Sequence, residues 1–206
     1  MTLAIIRFME LHPPQHSDWI AAPSPSLSRQ QKYWLFRPGA LTAGLRRLGS
    51  VQLRVVREHA AGLPPAEAWM LDRPVRSPVW VREIIMSIDG VNSVFARSFT
   101  PLAASHGLWQ GMRRLRTRPL ADMLYHDAQI TRSGFLACRL REQRPLYRSA
   151  RRMLGGQCPP ANSMLARCSV FWRSGQPLLV AECFLPDFWP LAARSAYGQG
   201  LSLEQI

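Results

Sequence analysis

The sequence predicts an α+β protein, a single domain built on an antiparallel β-sheet. Three observations predict it. Alternating apolar runs flank an Asp-Gly pair in WVREIIMSIDGVNSVFARSFTP, residues 80–101, the signature of a β-hairpin. A second pair of runs, RCSVFW and PLLVAECFL, is joined by RSGQ and reads the same way. Helical patterns fall in blocks between the hairpins and do not alternate with single strands, which argues against βαβ units. A chain of 206 residues fits one domain and can bury a core of its own.

The elements follow in chain order. Residues 1–31 carry HPP and APSPSLS, so they read as a loop-like extension that wraps the domain or is partly ordered. Arg7 and Glu10 interrupt the apolar start MTLAIIRFMELHPP, and no small-residue cleavage site follows; a signal peptide is not expected. In WLFRPGALTAGLRRL, residues 34–48, Pro38-Gly39 makes a break, and a short helix then runs to Gly49. SVQLRVVRE, residues 50–58, sets Val51, Leu53 and Val55 against Gln52, Arg54 and Val56, a strand pattern. HAAGLPPAEA reads as a loop into the first hairpin. After Pro101, LAASHGLWQGMRRL predicts a helix, and PLADMLYHD a shorter one with Pro119 near its first turn. Residues 129–135 predict a short strand. Residues 136–154 are arginine-rich with scattered apolar positions, and GGQCPPANS is a loop before the second hairpin. The expected organisation is an extension at 1–31, the domain at 32–190 and a tail at 191–206. No internal repeat is present.

Composition narrows the function. The formal net charge is +13, which favours an anionic partner. Lys32 is the only lysine, however, and the arginines are dispersed apart from small clusters such as Arg113-Arg114 and Arg151-Arg152. A nucleic-acid interface is therefore not expected, and a small anionic ligand fits at least as well. No apolar run is long enough to span a bilayer, so a cytoplasmic protein without membrane insertion is expected. Cys138, Cys158, Cys168 and Cys183 lack C-x-x-C spacing and lie at no ligand spacing from a histidine, which speaks against zinc and against a disulfide framework. No dinucleotide fingerprint, P-loop or H-E-x-x-H motif occurs.

Two charges break apolar rows. Side chains alternate with period two along a strand, so Arg82 shares a face with Ile84, Met86 and Ile88. Glu182 likewise shares a face with Leu178, Val180 and Phe184. An enclosed guanidinium needs a partner, because desolvating a lone charge is costly. Three readings satisfy that need: Arg82 makes a structural ion pair with another carboxylate, Glu83 being a poor partner because it points to the opposite face; Arg82 and Glu182 pair with each other; or both face one apolar cavity and hold opposite ends of a ligand. A hairpin counted from Asp89-Gly90 sets Arg82 opposite Arg97; two cations so placed repel, so either the register differs or an anion or acidic side chain lies between them.

These residues carry a family resemblance. WVREIIMSIDG, with Arg97 seven residues beyond the glycine, resembles the central hairpin of bacterial chorismate lyases. So do GQPLLVAECFLP with the preceding ARCSVF, RPLADMLYHDAQITR, and WLFRPGALTAGLRRLG. The resemblance runs in order from about Trp34 to Pro186. It implies an antiparallel sheet whose helices cover an enclosed ligand pocket, and conversion of chorismate to 4-hydroxybenzoate and pyruvate at the start of ubiquinone synthesis. It implies no metal and no organic cofactor, and a monomer is expected.

Carried over by motif, Arg82 binds the ring carboxylate and Glu182 meets the ring hydroxyl. Leu41 and Leu120 contact the ligand through their backbones. Position 41 carries methionine elsewhere in the family, and a backbone contact tolerates leucine. Ile84, Val180 and Phe184 are the expected ring contacts, and Arg97 the expected partner of the second substrate carboxylate. The segment between Arg132 and Arg167 is longer than in compact members, and the tail extends beyond FLP. The alternative is a module of the same fold that binds a small aromatic acid without turnover.

Overall fold

The computed structural model describes residues 8–9, 11, 13–14 and 17–198. Asp89 and Gly90 have φ of 48° and 83°, the left-handed pair that a tight two-residue turn demands. They join β3 (Pro78–Ile88) to β4 (Val91–Pro101). Ser174 and Gly175, with φ of 47° and 73°, join β7 (Leu165–Arg173) to β8 (Gln176–Phe184) in the same way. Asp89 Oδ1 also accepts from the Ser50 amide at 2.8 Å, tying the first turn to the start of β2 (Val51–Gly62).

Both expected hairpins form, and they pair with each other through β4 and β8. The sheet order is β1-β5-β7-β8-β4-β3-β2, where β1 is Phe8–Met9 and β5 Thr131–Ser133; β6 (Leu136–Arg139) also pairs with β7. All pairings are antiparallel except β1 with β5.

The register of the first hairpin corrects the simple count. Ile88 faces Val91 as expected, but Ser87 pairs with Asn92 and Met86 with Val94, so Ser93 is an extra residue in β4. Its hydroxyl donates to the Val91 carbonyl at 2.8 Å. A one-residue bulge moves every later side chain to the other partner. Arg82 therefore faces Ser98, and Arg97 faces Glu83. The two arginines lie on opposite faces of the sheet.

Both faces are buried. One carries Val79, Val81, Ile85, Phe95 and Phe99 against α3 (Pro65–Leu71) and α7 (Pro145–Leu154). The other face carries two separate cores. The first gathers Trp34, Leu35, Leu45, Met86, Phe184 and Phe188 with α1 (Arg29–Phe36), α2 (Leu41–Leu45) and α8 (Phe188–Gly198). The second gathers Trp109, Met112, Leu124, Phe171 and Leu178 beneath α4 (Leu102–His106), α5 (Gln110–Arg113) and α6 (Ala121–Leu124).

Several local readings change. β2 continues to Gly62, and the run expected as a loop holds α3, with Pro64 at its N-cap and Pro65 in its first turn. The helix expected after Pro101 breaks at Gly107 into α4 and α5. The arginine-rich stretch contains β6 and α7. In α7, Leu146, Tyr147 and Ala150 are buried, while Arg148, Arg151 and Arg152 are exposed. Ser28 and Gln31 form a capping box that starts α1, and Trp19 joins the core at 5% exposure. The four cysteines are free thiols, three buried and Cys158 half-buried.

Candidate active site

The gap between the two cores on one sheet face is a cleft. It holds about 530 Å³ of atom-free space, part of it open to solvent. Its floor is strand: Ile84 and Met86 from β3, Ala96 and Ser98 from β4, Arg167, Ser169 and Phe171 from β7, Val180 and Glu182 from β8. Period-two alternation delivers each of these to the same side. Its walls are the start of α2, with Leu41, and the segment Pro119–Tyr125, with Leu120. The walls are thus mostly apolar, with a small set of polar groups, the usual make-up of a small-molecule site.

The charged end is set by strand register. Arg167 and Glu182 are direct partners across β7 and β8. Arg167 Nε donates to Glu182 Oε2 at 2.7 Å, and Nη1 donates to the carbonyls of Trp34 at 3.2 Å and Arg37 at 3.4 Å, where α1 ends. The face of Phe135 lies 4.3 Å from the Arg167 guanidinium and 4.2 Å from that of Arg132. Such stacking suits a planar cation that has lost its water. Arg167 is 1% exposed and Glu182 14%. Tyr125 lines the cleft, and Arg132 Nη1 lies 3.4 Å from its hydroxyl. Burial pushes the Tyr125 phenol above its ordinary range, and burial lowers Arg132 from its own.

The expected site residues fall in three groups. Glu182, Leu41, Leu120, Ile84 and Val180 line the cleft. Arg82 does not line it, although Ile84, the next residue in its row, and Ser98, its cross-strand neighbour, both do. Its side chain is 2% exposed, and Nη1 donates to Glu58 Oε1 at 2.5 Å. Nη2 donates to the carbonyls of Arg116 at 2.5 Å and Arg118 at 3.5 Å, in the segment covering the cleft. Arg82 and Glu182 do not pair with each other: Arg82 holds another carboxylate, Glu58, the structural ion pair among the expected readings, and Glu182 holds Arg167.

Arg97 and Phe184 stand apart. The bulge at Ser93 turns Arg97 to the far face, where Nη1 donates to Glu67 Oε2 at 2.6 Å and Nε lies 3.8 Å from Glu83 Oε1. Phe184 packs in the aromatic group with Trp34 and Phe188, centroids 6.5 and 4.9 Å away. Sequence reasoning missed Arg167. The signal was present: in β7 an arginine interrupts the row Leu165, Ser169, Phe171, just as Arg82 interrupts its own. Among the described residues, no group of three or more His, Cys, Asp or Glu is placed to hold a metal ion.

A mostly antiparallel sheet with short helices roofing a mostly apolar, ion-paired cleft defines a small-ligand α+β domain. The effector domain of PhnF from Mycobacterium smegmatis shares the fold, with a TM-score of 0.50, 15% identity, and 72% of this chain and 90% of that one covered. The sequence profile of the chorismate lyase family matches residues 13–193. A probable chorismate pyruvate-lyase of Bordetella avium (strain 197N) is 60% identical, over 85% of this chain and 87% of that protein. One from Bordetella pertussis is 59% identical over 87% and 94%, and the probable chorismate pyruvate-lyase 1 of Pseudomonas entomophila 40% over 84% and 91%. The chain belongs to the chorismate lyase family of enzymes. Among the described residues no helix is long and apolar enough to cross a membrane.

Proposed function

We propose that this enzyme converts chorismate to 4-hydroxybenzoate and pyruvate, supplying the first step of ubiquinone synthesis from the cytoplasm as a monomer. Residues 32–190 form the catalytic domain in this reading. The observation that carries it is the cleft itself: mostly apolar walls, with Glu182 and its partner Arg167 in the lining and a second buried cation, Arg82, just outside it, next to Ile84 in the same sheet row. A flat ring with a hydroxyl at one end and a carboxylate at the other matches that polarity. Glu182 Oε1 meets the 4-hydroxyl while Arg167 holds Oε2.

Arg82 takes the ring carboxylate in a two-pronged, charge-assisted bond, exchanging Glu58 and the Arg116 carbonyl for it. Those partners are electrostatic stand-ins for the ligand, a carboxylate and a carbonyl oxygen. Leu41 and Leu120, at the starts of α2 and α6, supply backbone contacts from the two covering segments.

The reaction breaks the C3–O bond of chorismate and removes the C4 proton, forming the last ring double bond. The departing enolate takes up a proton at carbon and becomes pyruvate. Aromatisation supplies the driving force, so the protein's task is to hold the reactive conformer and to favour the charge that develops on the leaving oxygen. No step calls for a metal or an organic cofactor.

Purified protein incubated with chorismate and a metal chelator is expected to release pyruvate and 4-hydroxybenzoate in equal amounts. Tight binding of 4-hydroxybenzoate with no pyruvate would favour a non-catalytic module of the same fold instead.

A further inference from the structure

We propose that Arg167 binds the second carboxylate of the substrate, the one on the departing enolpyruvyl group. This rests on the chorismate reading above. Chorismate is a dianion whose enolpyruvyl ether sits on C3, next to the hydroxyl on C4. Vicinal substituents need neighbouring partners. If Glu182 meets the 4-hydroxyl, a cation beside Glu182 must meet the enolpyruvyl carboxylate.

Arg97, the cation that the plain hairpin count offers, is on the wrong face of the sheet and bound to Glu67. Arg167 lies on the right face, lines the cleft and touches Glu182 at 2.7 Å.

The surroundings of Arg167 are those of a binding group held ready. Nε is fixed on Glu182, Nη1 on the carbonyls of Trp34 and Arg37, and the ring of Phe135 covers the guanidinium plane. Nη2 donates to no group among the described residues. A guanidinium anchored through two nitrogens loses little further freedom when the third binds an anion. As the C3–O bond breaks, its electron pair leaves with the enolpyruvyl group. A cation already bound to that group's carboxylate lies close to the charge that develops and need not reorganise.

The assignment separates substrate from product. Chorismate carries the second carboxylate and 4-hydroxybenzoate does not, so Arg167 contributes to binding the first and little to binding the second. The test uses the full chain with Arg167→Met and Arg167→Lys. The probes are chorismate turnover, and calorimetric affinity for 4-hydroxybenzoate and for 4-hydroxybenzoate bearing an O-linked carboxymethyl group at ring carbon 3.

The wild-type protein is expected to prefer the dicarboxylate. R167M should lose at least about 30-fold in kcat/KM and abolish that preference, as loss of a charged hydrogen bond implies. Its loss of 4-hydroxybenzoate affinity, which comes only through the freed Glu182, should be at least about tenfold smaller than its loss of dicarboxylate affinity, and R167K should recover part of the preference. Equal losses for both ligands would mean that Arg167 acts only by holding Glu182, and would overturn the proposal; so would an unchanged preference.

Should R167M not fold, R167M/E182Q compared with E182Q avoids the unpaired buried carboxylate, and its dicarboxylate preference decides by the same criterion. A wild-type protein inert toward chorismate but able to prefer the dicarboxylate would sink the lyase reading and leave the anion site standing. An inert protein without that preference would remove both.

Discussion

Arg97→Met should destabilise the protein strongly while leaving its chemistry intact. Arg97 Nη1 contacts both carboxylate oxygens of Glu67, at 2.8 and 2.6 Å, and Glu83 lies 3.8 Å from Nε. The Arg97 and Glu67 side chains are only 6% and 7% exposed. Methionine fills much of the same volume but leaves two buried carboxylates without their shared cation. Breaking one side of a buried pair costs about 3–5 kcal/mol, and a pair near 4 Å at an effective dielectric of about 20 gives a similar figure, about 4 kcal/mol. Domains are stable by about 5–15 kcal/mol, so the loss is a large share. At about 2–4 °C per kcal/mol for a chain of this size, the melting temperature should fall by roughly 6–20 °C.

Urea unfolding of R97M, and of R97M with Glu67→Met, checks this. The double variant should recover at least half of the loss, because it removes an orphaned charge. Turnover per folded molecule should stay within about threefold of wild type. A variant within about 1 kcal/mol of wild type but devoid of activity would refute the reasoning. It would put Arg97 at the substrate and the hairpin in the register without its bulge.

Three further predictions follow from the same geometry. Arg82→Ala should cut turnover at least about 100-fold yet destabilise less than R97M, because its partner Glu58 is 28% exposed and can regain water; near-normal turnover would remove Arg82 from the site. Burial pushes the Glu67 carboxyl above its ordinary range, against the pull of Arg97. The folded chain then holds that proton to higher pH than the unfolded chain, so this contribution is full below about pH 4.5 and lost as pH rises through the folded value. The stability of wild type minus that of Glu67→Gln should therefore fall with rising pH in urea titrations, and a difference that grows would contradict it. Burial raises all four thiols, Cys183 up to about 12, so access decides the order: at pH 8 an alkylating reagent should label half-buried Cys158 first and the other three only on unfolding; early labelling of Cys183 would place it at the surface.

The sequence by itself determined the two hairpins, because Asp-Gly and Ser-Gly turns and period-two alternation are local properties of the chain. It also marked Glu182 as a charge in an apolar row that lines the cleft, and it carried the family in motifs spread along its length. Only the tertiary structure decided where the other charges went. Ser93 slips into β4 as an extra residue, and that one insertion sends Arg97 through the sheet to Glu67. Nothing in the alternation announces a bulge, since Val91, Val94 and Phe95 pack on either register.

Arg167 stood in plain sight as an arginine among apolar neighbours, yet its role depends on facing Glu182 across β7 and β8 and on the end of α1 arriving above it. A charge in an apolar row is legible from composition and period; the identity of its partner is not. That partner is fixed by strand register and by which helix closes over the face, contacts between residues such as Trp34 and Arg167 that lie far apart in the chain.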